Sequence, residues 1–250
     1  MRYAQSPGAE AGATSEVYPA VKSILFDGID SYVVANDAGG EIAFNSRAHS
    51  ISCWFKVPAT SDPLQAIWSF ARNATSHTMY MLGISSSGQL WIYGRANTSG
   101  VYPIGSGGSP VVVSSGLDDD AWHHVAITYD GSSSMNVYVD GGSANAITVA
   151  SGEITADIFS IGARRTSSST IYPLEGSVAD FSIFDRVLDS DELAKLSTAP
   201  ILNYQALKPK FWSWMGDKDA LADMRDHGVE NVSVALTNGV ADDLRDGAPS

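Results

Sequence analysis

The sequence predicts an all-β chain: an antiparallel two-sheet sandwich of the jelly-roll type, with an N-terminal arm and a C-terminal extension. Three observations carry that expectation. From Val21 onward, short apolar segments alternate with clusters of Gly, Asp and Ser, the pattern of strands joined by tight turns. Within two of these segments the period is two: Val125, Ile127 and Tyr129 alternate with His124, Ala126 and Thr128, and Ala179, Phe181 and Ile183 alternate with Asp180 and Ser182. A strand turns alternate residues to opposite faces, so each segment has one face packed on an apolar layer. Two facing sheets meet that need, with a core about 10 Å thick. Finally, hydrophobic residues make up 44% and charged residues only 17%, with 23 Gly, a balance suited to a packed core between many turns and not to helical surfaces rich in Lys and Glu.

Residues 1–20, with Pro7, Gly8, Gly12 and Pro19, hold no lasting period and are read as an arm that only a partner would order. Strands are expected over 23–26, 32–35, 50–57, 66–71, 78–84, 89–93, 110–115, 123–129, 136–139, 158–161 and 176–184. Ser85, Ser86, Ser87 and Gly88 form one hairpin turn, and Asp130, Gly131, Ser132 and Ser133 another, because these residues tolerate positive φ or a tight reversal. One helix is expected after Asp189, which caps it while Glu192 reciprocates at the third helical position. Leu193 and Leu196 give this helix a short apolar stripe, expected to close one end of the sandwich.

The sandwich is placed at 21–197 and the extension at 198–250. The extension has an aromatic stretch at 208–214, an acidic helix expected at 219–227 and a returning strand at 231–236. About fifty residues make a marginal core alone, so this part is read as wrapping the sandwich or mediating assembly.

Charge and cysteine content narrow the function. A formal net charge of −13, with no basic run to override it, disfavours nucleic acid as a partner. The single Cys53 excludes an internal disulfide framework and a multi-cysteine metal site, and its setting on a strand predicts a buried thiol. No apolar run reaches 18 residues and no basic segment precedes an apolar one near the N-terminus, so neither a membrane span nor a secretory signal is expected.

Several strings carry a resemblance. Leu25, Phe26, Asp27 and Gly28 followed by Tyr32 and Val33, then Ile51 to Phe55, resemble the opening of laminin-G-like domains of the concanavalin A-like lectin and glucanase superfamily. Trp122 to Gly131 and Tyr138 to Gly141 resemble the central hairpin of that family, with Trp122 as a core anchor. Ile161, Gly162, Gly176 and the run from Ala179 to Leu188, ending at Glu192 and Leu193, resemble its last strand and terminal helix. Members of the superfamily include glycan-binding modules, adhesion domains, hydrolases and viral structural proteins, so the fold does not choose a function.

At the C-terminus, Phe211 to Asp217, Asp226 to Gly228, Leu236 to Gly239 and the closing Pro249 and Ser250 resemble the end of jelly-roll virion proteins of tailed bacteriophages. This resemblance implies a non-enzymatic virion structural protein: a capsid decoration, head-fibre or tail-associated module assembled in the host cytoplasm. Its partners would be other virion proteins and copies of itself, with a host-surface glycan as a further ligand. The alternative is a carbohydrate-binding or adhesion module that uses loops at one edge of the sandwich.

The chemical groups favour binding over catalysis. Glucanases of this superfamily place two or three carboxylates on one strand, whereas the strand over 176–184 offers only Asp180 and Glu153 stands apart. The spacing that glycoside hydrolysis needs is therefore missing. His123 and His124 are adjacent, so on a strand they face opposite sides and do not chelate one ion; one is expected packed and the other exposed. Asp27 and Asp180 lie beside residues expected to be buried and need hydrogen bonds there. Calcium is the alternative for these two carboxylates, although it takes six to eight oxygen ligands and the sequence names fewer; no cofactor is otherwise required.

Trp91, Tyr93 and Tyr102 flank a Gly-rich loop, with Arg95 and Asn97 beside them. Rings that stack on sugars, with polar groups to orient them, have this composition. Gly105, Ser106, Gly107 and Gly108 lack the lysine and the strand-to-helix setting of a phosphate loop and are read as a flexible or tight turn. Phe211, Trp212 and Trp214 are too apolar to stand in water, so they are expected on the sandwich itself or in a subunit interface.

Overall fold

The computed structural model describes residues 22–36, 47–59, 64–72, 75–96, 100–165, 169–198, 207–213, 235–237 and 244–246. The arm, the proposed helix at 219–227, Asn97 and Trp214 lie outside the described residues.

The strands are β1 (Lys22–Asp27), β2 (Tyr32–Asn36), β3 (His49–Lys56), β4 (Leu64–Arg72), β5 (Thr75–Ser85), β6 (Leu90–Arg95), β7 (Val111–Ser114), β8 (Trp122–Tyr129) and β9 (Ser134–Val139). They continue with β10 (Asn145–Thr148), β11 (Ile158–Ile161), β12 (Arg164–Arg165), β13 (Thr170–Ile171) and β14 (Glu175–Phe184); then come α1 (Ser190–Thr198), β15 (Phe211–Ser213), β16 (Ala235–Thr237) and β17 (Leu244–Asp246). Among the described residues they form an eight-stranded antiparallel sheet, in the order β10-β9-β8-β3-β14-β1-β17 with β15 also on β14, and a seven-stranded one, β16-β2-β11-β4-β5-β6-β7. A two-stranded ribbon, β12 and β13, completes the set.

The all-β sandwich is as the sequence predicts, and period-two burial builds it. Val125, Ile127 and Tyr129 from β8 meet Trp68, Phe70 and Phe159 from the other sheet in one core. Rings interlock there edge to face or offset, as between Trp68 and Tyr80 at 5.1 Å and Phe70 and Phe159 at 4.8 Å, the arrangements that aromatic quadrupoles favour. Cys53 is fully buried, and burial pushes its thiol well above the ordinary range. Trp122 is only half-buried and outside this core, because it begins β8 at the sheet margin opposite Lys56.

One alternation is re-phased. The core takes Val178, Phe181 and Ile183 from β14, not Ala179. Between Ala179 and Ser182 the register against β3 shifts, and Asp180 sits there at φ 48°. A bulge adds one unpaired residue and so moves the following side chains to the other face. Apolar residues three apart, Val178 and Phe181, are its trace in the sequence.

The capping box forms as expected: Glu192 N–H donates to Asp189 Oδ1 at 2.9 Å and Asp189 N–H donates to Glu192 Oε2 at 3.0 Å. The helix, however, lies on the outer face of the larger sheet instead of across one end. Leu193 and Leu196 pack with Ala126, Phe184, Leu188 and Leu207, a patch that the sheet would otherwise expose.

The C-terminal strands are distributed over both sheets: β15 pairs with β14, β17 with β1, and β16 with β2. Phe211 enters the main core with no exposed surface, its ring 5.7 Å from Phe159 and 6.1 Å from Phe181. Of the two places expected for Phe211, its own sandwich and a subunit interface, it occupies the first. Trp212 is opposite Ser182 in the backbone register.

Candidate functional site

The outer face of the smaller sheet carries a second apolar cluster, separate from the core. On β5, Tyr80, Leu82 and Ile84 point inward, which turns Met79 and Met81 outward; on β6, Leu90 and Ile92 point inward and Trp91 and Tyr93 outward. The register sets Met81 opposite Tyr93 and Gly83 opposite Trp91. Gly83 is where the indole fits, since a Cβ there would lie 2.3 Å from Trp91 Cζ2.

Walls rise on both sides of this floor. One is the loop from Gly100 to Pro110, held by an antiparallel bridge between Gly94 and Ile104 and by Ser109 N–H donating to the Ser106 carbonyl at 2.8 Å. Gly105 and Gly108 take φ of 88° and 90°, values that glycine adopts without steric cost, so the Gly-rich run is a tight turn. The other wall is the β12–β13 ribbon with Tyr172, whose carbonyl accepts from Ala66 N–H at 2.9 Å. Between them is a cavity of about 400 Å³.

Of the five residues read as a sugar platform, Trp91, Tyr93, Arg95 and Tyr102 all line this cavity. Trp91 and Tyr93, 3% and 9% exposed, form its floor, so Trp91 is a structural base and not an exposed stacking ring. The half-buried Tyr102 and Tyr172 present the accessible rings. Tyr102 stands 6.0 Å from Tyr93, and the Arg95 guanidinium lies 5.5 Å over its ring, a cation–π contact that orients both. Burial raises the Tyr93 phenol, with Tyr102 adding to the effect, so Tyr93 is a neutral hydrogen-bonding group.

His77, Arg164 and Tyr172 also line the cavity and were not singled out from the sequence. His77 follows the same outward alternation as Met79 and Met81, a signal present in the sequence. Arg164 and Tyr172 come from strands of two residues and the turn after them, too short to show a period.

The two carboxylates considered for calcium do not share a site. Asp27 pairs with Glu175 at one end of β14, whereas Asp180 is in the mid-strand bulge. Asp27 Oδ1 accepts from Ile29, Asp30 and Ser31 N–H at 2.8, 3.1 and 3.2 Å. Burial opposes its ionisation, but these bonds outweigh it and lower its pKa, so the side chain organises a turn. Asp180 is 2% exposed, with one carboxylate oxygen buried and unpartnered, and desolvation raises its pKa to about 7. Among the described residues, no group of three or more His, Cys, Asp or Glu is placed to hold a metal ion.

The adjacent histidines face opposite sides as expected, but neither is exposed, the side chain of His123 being only 13% so. His124 is buried beneath α1 and shares a 2.8 Å hydrogen bond with Ser52 Oγ; His123 lies between Asp140 and Asp119, at 2.8 and 3.0 Å.

Two facing antiparallel sheets of this kind define the jelly-roll, concanavalin A-like class of β-sandwich. The family model for laminin-G-type domains of the concanavalin A-like lectin/glucanases superfamily matches residues 27–194, and the chain belongs to that family. No curated protein sequence matches it.

Among solved structures, the chain is similar to the CBM40 of a Ruminococcus gnavus IT-sialidase bound to α2,3-sialyllactose. The identity is 12% and the TM-score 0.54, covering 71% of this chain and 99% of that one. A candidate carbohydrate-binding protein from Bacteroides ovatus is 15% identical with a TM-score of 0.60, over 87% of this chain and 59% of that one. The native heptameric SAP-like pentraxin of Limulus polyphemus is 13% identical with a TM-score of 0.55, over 88% and 96%. At these identities the likeness is one of fold. No helix among the described residues is long and apolar enough to cross a membrane.

Proposed function

We propose that this protein is a carbohydrate-binding module that holds a glycan in the groove between Tyr102 and Tyr172. The observation that carries the reading is the gathering of Tyr93, Arg95, Tyr102 and Tyr172 around one cavity of about 400 Å³ on an apolar floor. Sugar rings present C–H faces that pack on aromatic rings, while their hydroxyls need donors and acceptors fixed by the protein. Tyr102 and Tyr172 supply the rings; Arg95 and the Tyr93 hydroxyl supply orientation. The carbohydrate-binding proteins among the structural neighbours support the same reading.

This reverses the order of the two functional readings drawn from the sequence. The virion reading rests on C-terminal strings that lie mostly outside the described residues. It is compatible with glycan binding, since a virion surface protein can carry a host-polysaccharide site, and it would add self-association and other virion proteins as partners.

A glycan array with the full chain and its Tyr102→Ala variant tests the proposal. Saturable binding by the full chain, weakened about tenfold or more in a variant with an unchanged melting curve, is the expected result. A folded protein that binds no glycan of any class would overturn it.

A further inference from the structure

The floor of the groove is longer than it is wide. Along β5 its outward positions are His77, Met79, Met81 and Gly83, with the Trp91 indole lying over the last, and both His77 and Trp91 line the cavity. From His77 to Gly83 the strand advances by six residues, roughly 20 Å at about 3.3 Å per residue. Across this row the floor comes chiefly from two strands, β5 and β6, whose axes are about 5 Å apart. The β12–β13 ribbon bounds it on one side by lying against β4, and the loop bridged to β6 at Gly94 bounds it on the other.

The two accessible rings stand at different levels along the row. Tyr102 is 6.0 Å from Tyr93, with the Arg95 guanidinium over it, and the register sets Tyr93 opposite Met81 and Arg95 opposite Met79. Tyr172 is anchored further along: its carbonyl accepts from Ala66 N–H at 2.9 Å, and Ala66 is opposite Gly83. A single pyranose is a six-membered ring about as wide as one phenol. To be gripped from both sides it needs two aromatic partners at one level, and it covers only a fraction of this floor. The loop wall is also set in advance, with Gly94 N–H donating to the Ile104 carbonyl and Ala96 N–H to the Val101 carbonyl, each at 3.0 Å. Each further sugar of a chain therefore meets a surface already in place, while the rigid-body entropy of binding is lost once per chain.

We infer that the groove holds a run of consecutive sugars of one glycan chain laid along β5, with Tyr102 and Tyr172 packing on different sugars. This rests on the glycan-binding reading and specifies its ligand as a chain instead of a single sugar. Between the two rings the apolar floor of Met79, Met81 and Trp91 meets the C–H groups of the chain. Affinity rises with chain length until the chain spans the floor, and each ring governs part of that rise.

The test titrates the full chain with β-1,4-linked glucose, mannose, xylose and N-acetylglucosamine oligomers of one to six units, and with array glycans shortened one sugar at a time. The expected result is a gain of tenfold or more between one sugar and three in at least one series, beyond what the extra registers of a longer chain supply. Tyr102→Ala and Tyr172→Asn separate the rings; asparagine is chosen because it tolerates the φ of 58° at Tyr172. Each variant, with circular dichroism unchanged, should weaken the longest chain about tenfold, yet only one of them should weaken the single sugar, followed by saturation-transfer NMR. Tyr172→Phe keeps the ring and should keep the dependence on length. A gain below tenfold in every series that binds, or single-sugar binding that both variants weaken alike, would overturn the inference and leave glycan binding intact. Absence of binding to every oligomer and every array glycan would overturn the glycan-binding reading with it.

Discussion

The indole of Trp91 lies across Gly83 on the neighbouring strand, where a Cβ would come within 2.3 Å of its Cζ2 and 2.3 Å of the Gln65 carbonyl oxygen. The floor of the groove is thus set by the absence of a side chain. Replacing Gly83 with alanine forces the indole or the strand to shift, and overpacking of this kind costs about 1–3 kcal/mol. Chemical denaturation with tryptophan fluorescence should show the loss, accompanied by weaker glycan binding; wild-type stability and spectrum in Gly83→Ala would show that the indole does not lie there.

A second prediction concerns Phe211. Its ring packs against both Phe159 and Phe181, with no exposed surface. Truncating a buried aromatic leaves a cavity, so Phe211→Ala should cost about 3–5 kcal/mol without changing the mass measured by light scattering. Loss of an oligomer with full protomer stability would instead place Phe211 in a subunit interface.

Asp180 predicts a pH dependence. Its folded pKa is raised to about 7 by desolvation, against about 3.9 in an unfolded chain. Below both values the group is protonated in both states and contributes nothing. As pH rises through this window the unfolded state ionises first, so folding stability falls, on the order of 1 kcal/mol per pH unit, and levels off above about 7. Asp180→Asn removes this loss, and asparagine tolerates the φ of 48° that the position requires. The variant should melt higher at pH 7.5, with the difference closing toward pH 4; equal melting across the range would refute the assignment.

His49 and His124 act in the opposite direction. Burial lowers both from 6.5 to about 4, so the stability they contribute is complete above 6.5 and lost as pH falls through 4. With Asp180 neutralised, stability should therefore rise more steeply between pH 4 and 6.5 than in the wild type, a slope that a pH series of denaturation curves measures.

The last prediction follows from Glu192, which is shared between two partners. Arg186 Nη1 and Nη2 donate to its two carboxylate oxygens at 2.7 and 2.6 Å, and Asp189 N–H donates to Oε2. Arg186 Nη2 also donates to the Leu207 carbonyl at 3.0 Å, joining the helix to the start of the C-terminal strands. Asp189→Ala removes one half of the capping box and should cost about 1 kcal/mol. Glu192→Ala removes the capping box and the ion pair together, and hydrogen exchange should then speed up in both α1 and the segment at 207–213; protection unchanged at 207–213 would uncouple the two.

Strands such as β8 and β11, the two hairpin turns and the Asp189–Glu192 capping box were legible in the sequence because each is specified by neighbours a few residues apart. Period-two burial and turn chemistry are local, and they suffice to define a two-sheet sandwich. Trp91, Tyr93, Arg95 and Tyr102 were legible as a group for the same reason, being near one another along the chain. Tertiary structure alone decided that Trp91 is the floor, because its exposure depends on Gly83 and on a wall contributed by the distant β12–β13 ribbon. It also brought Arg164 and Tyr172 to the groove, placed Phe211 in the core and set Asp180 in a bulge with one carboxylate oxygen unpartnered. Each of these depends on what another part of the chain supplies: a side chain's burial, and hence its chemistry, is a property of the surroundings that long-range packing assembles.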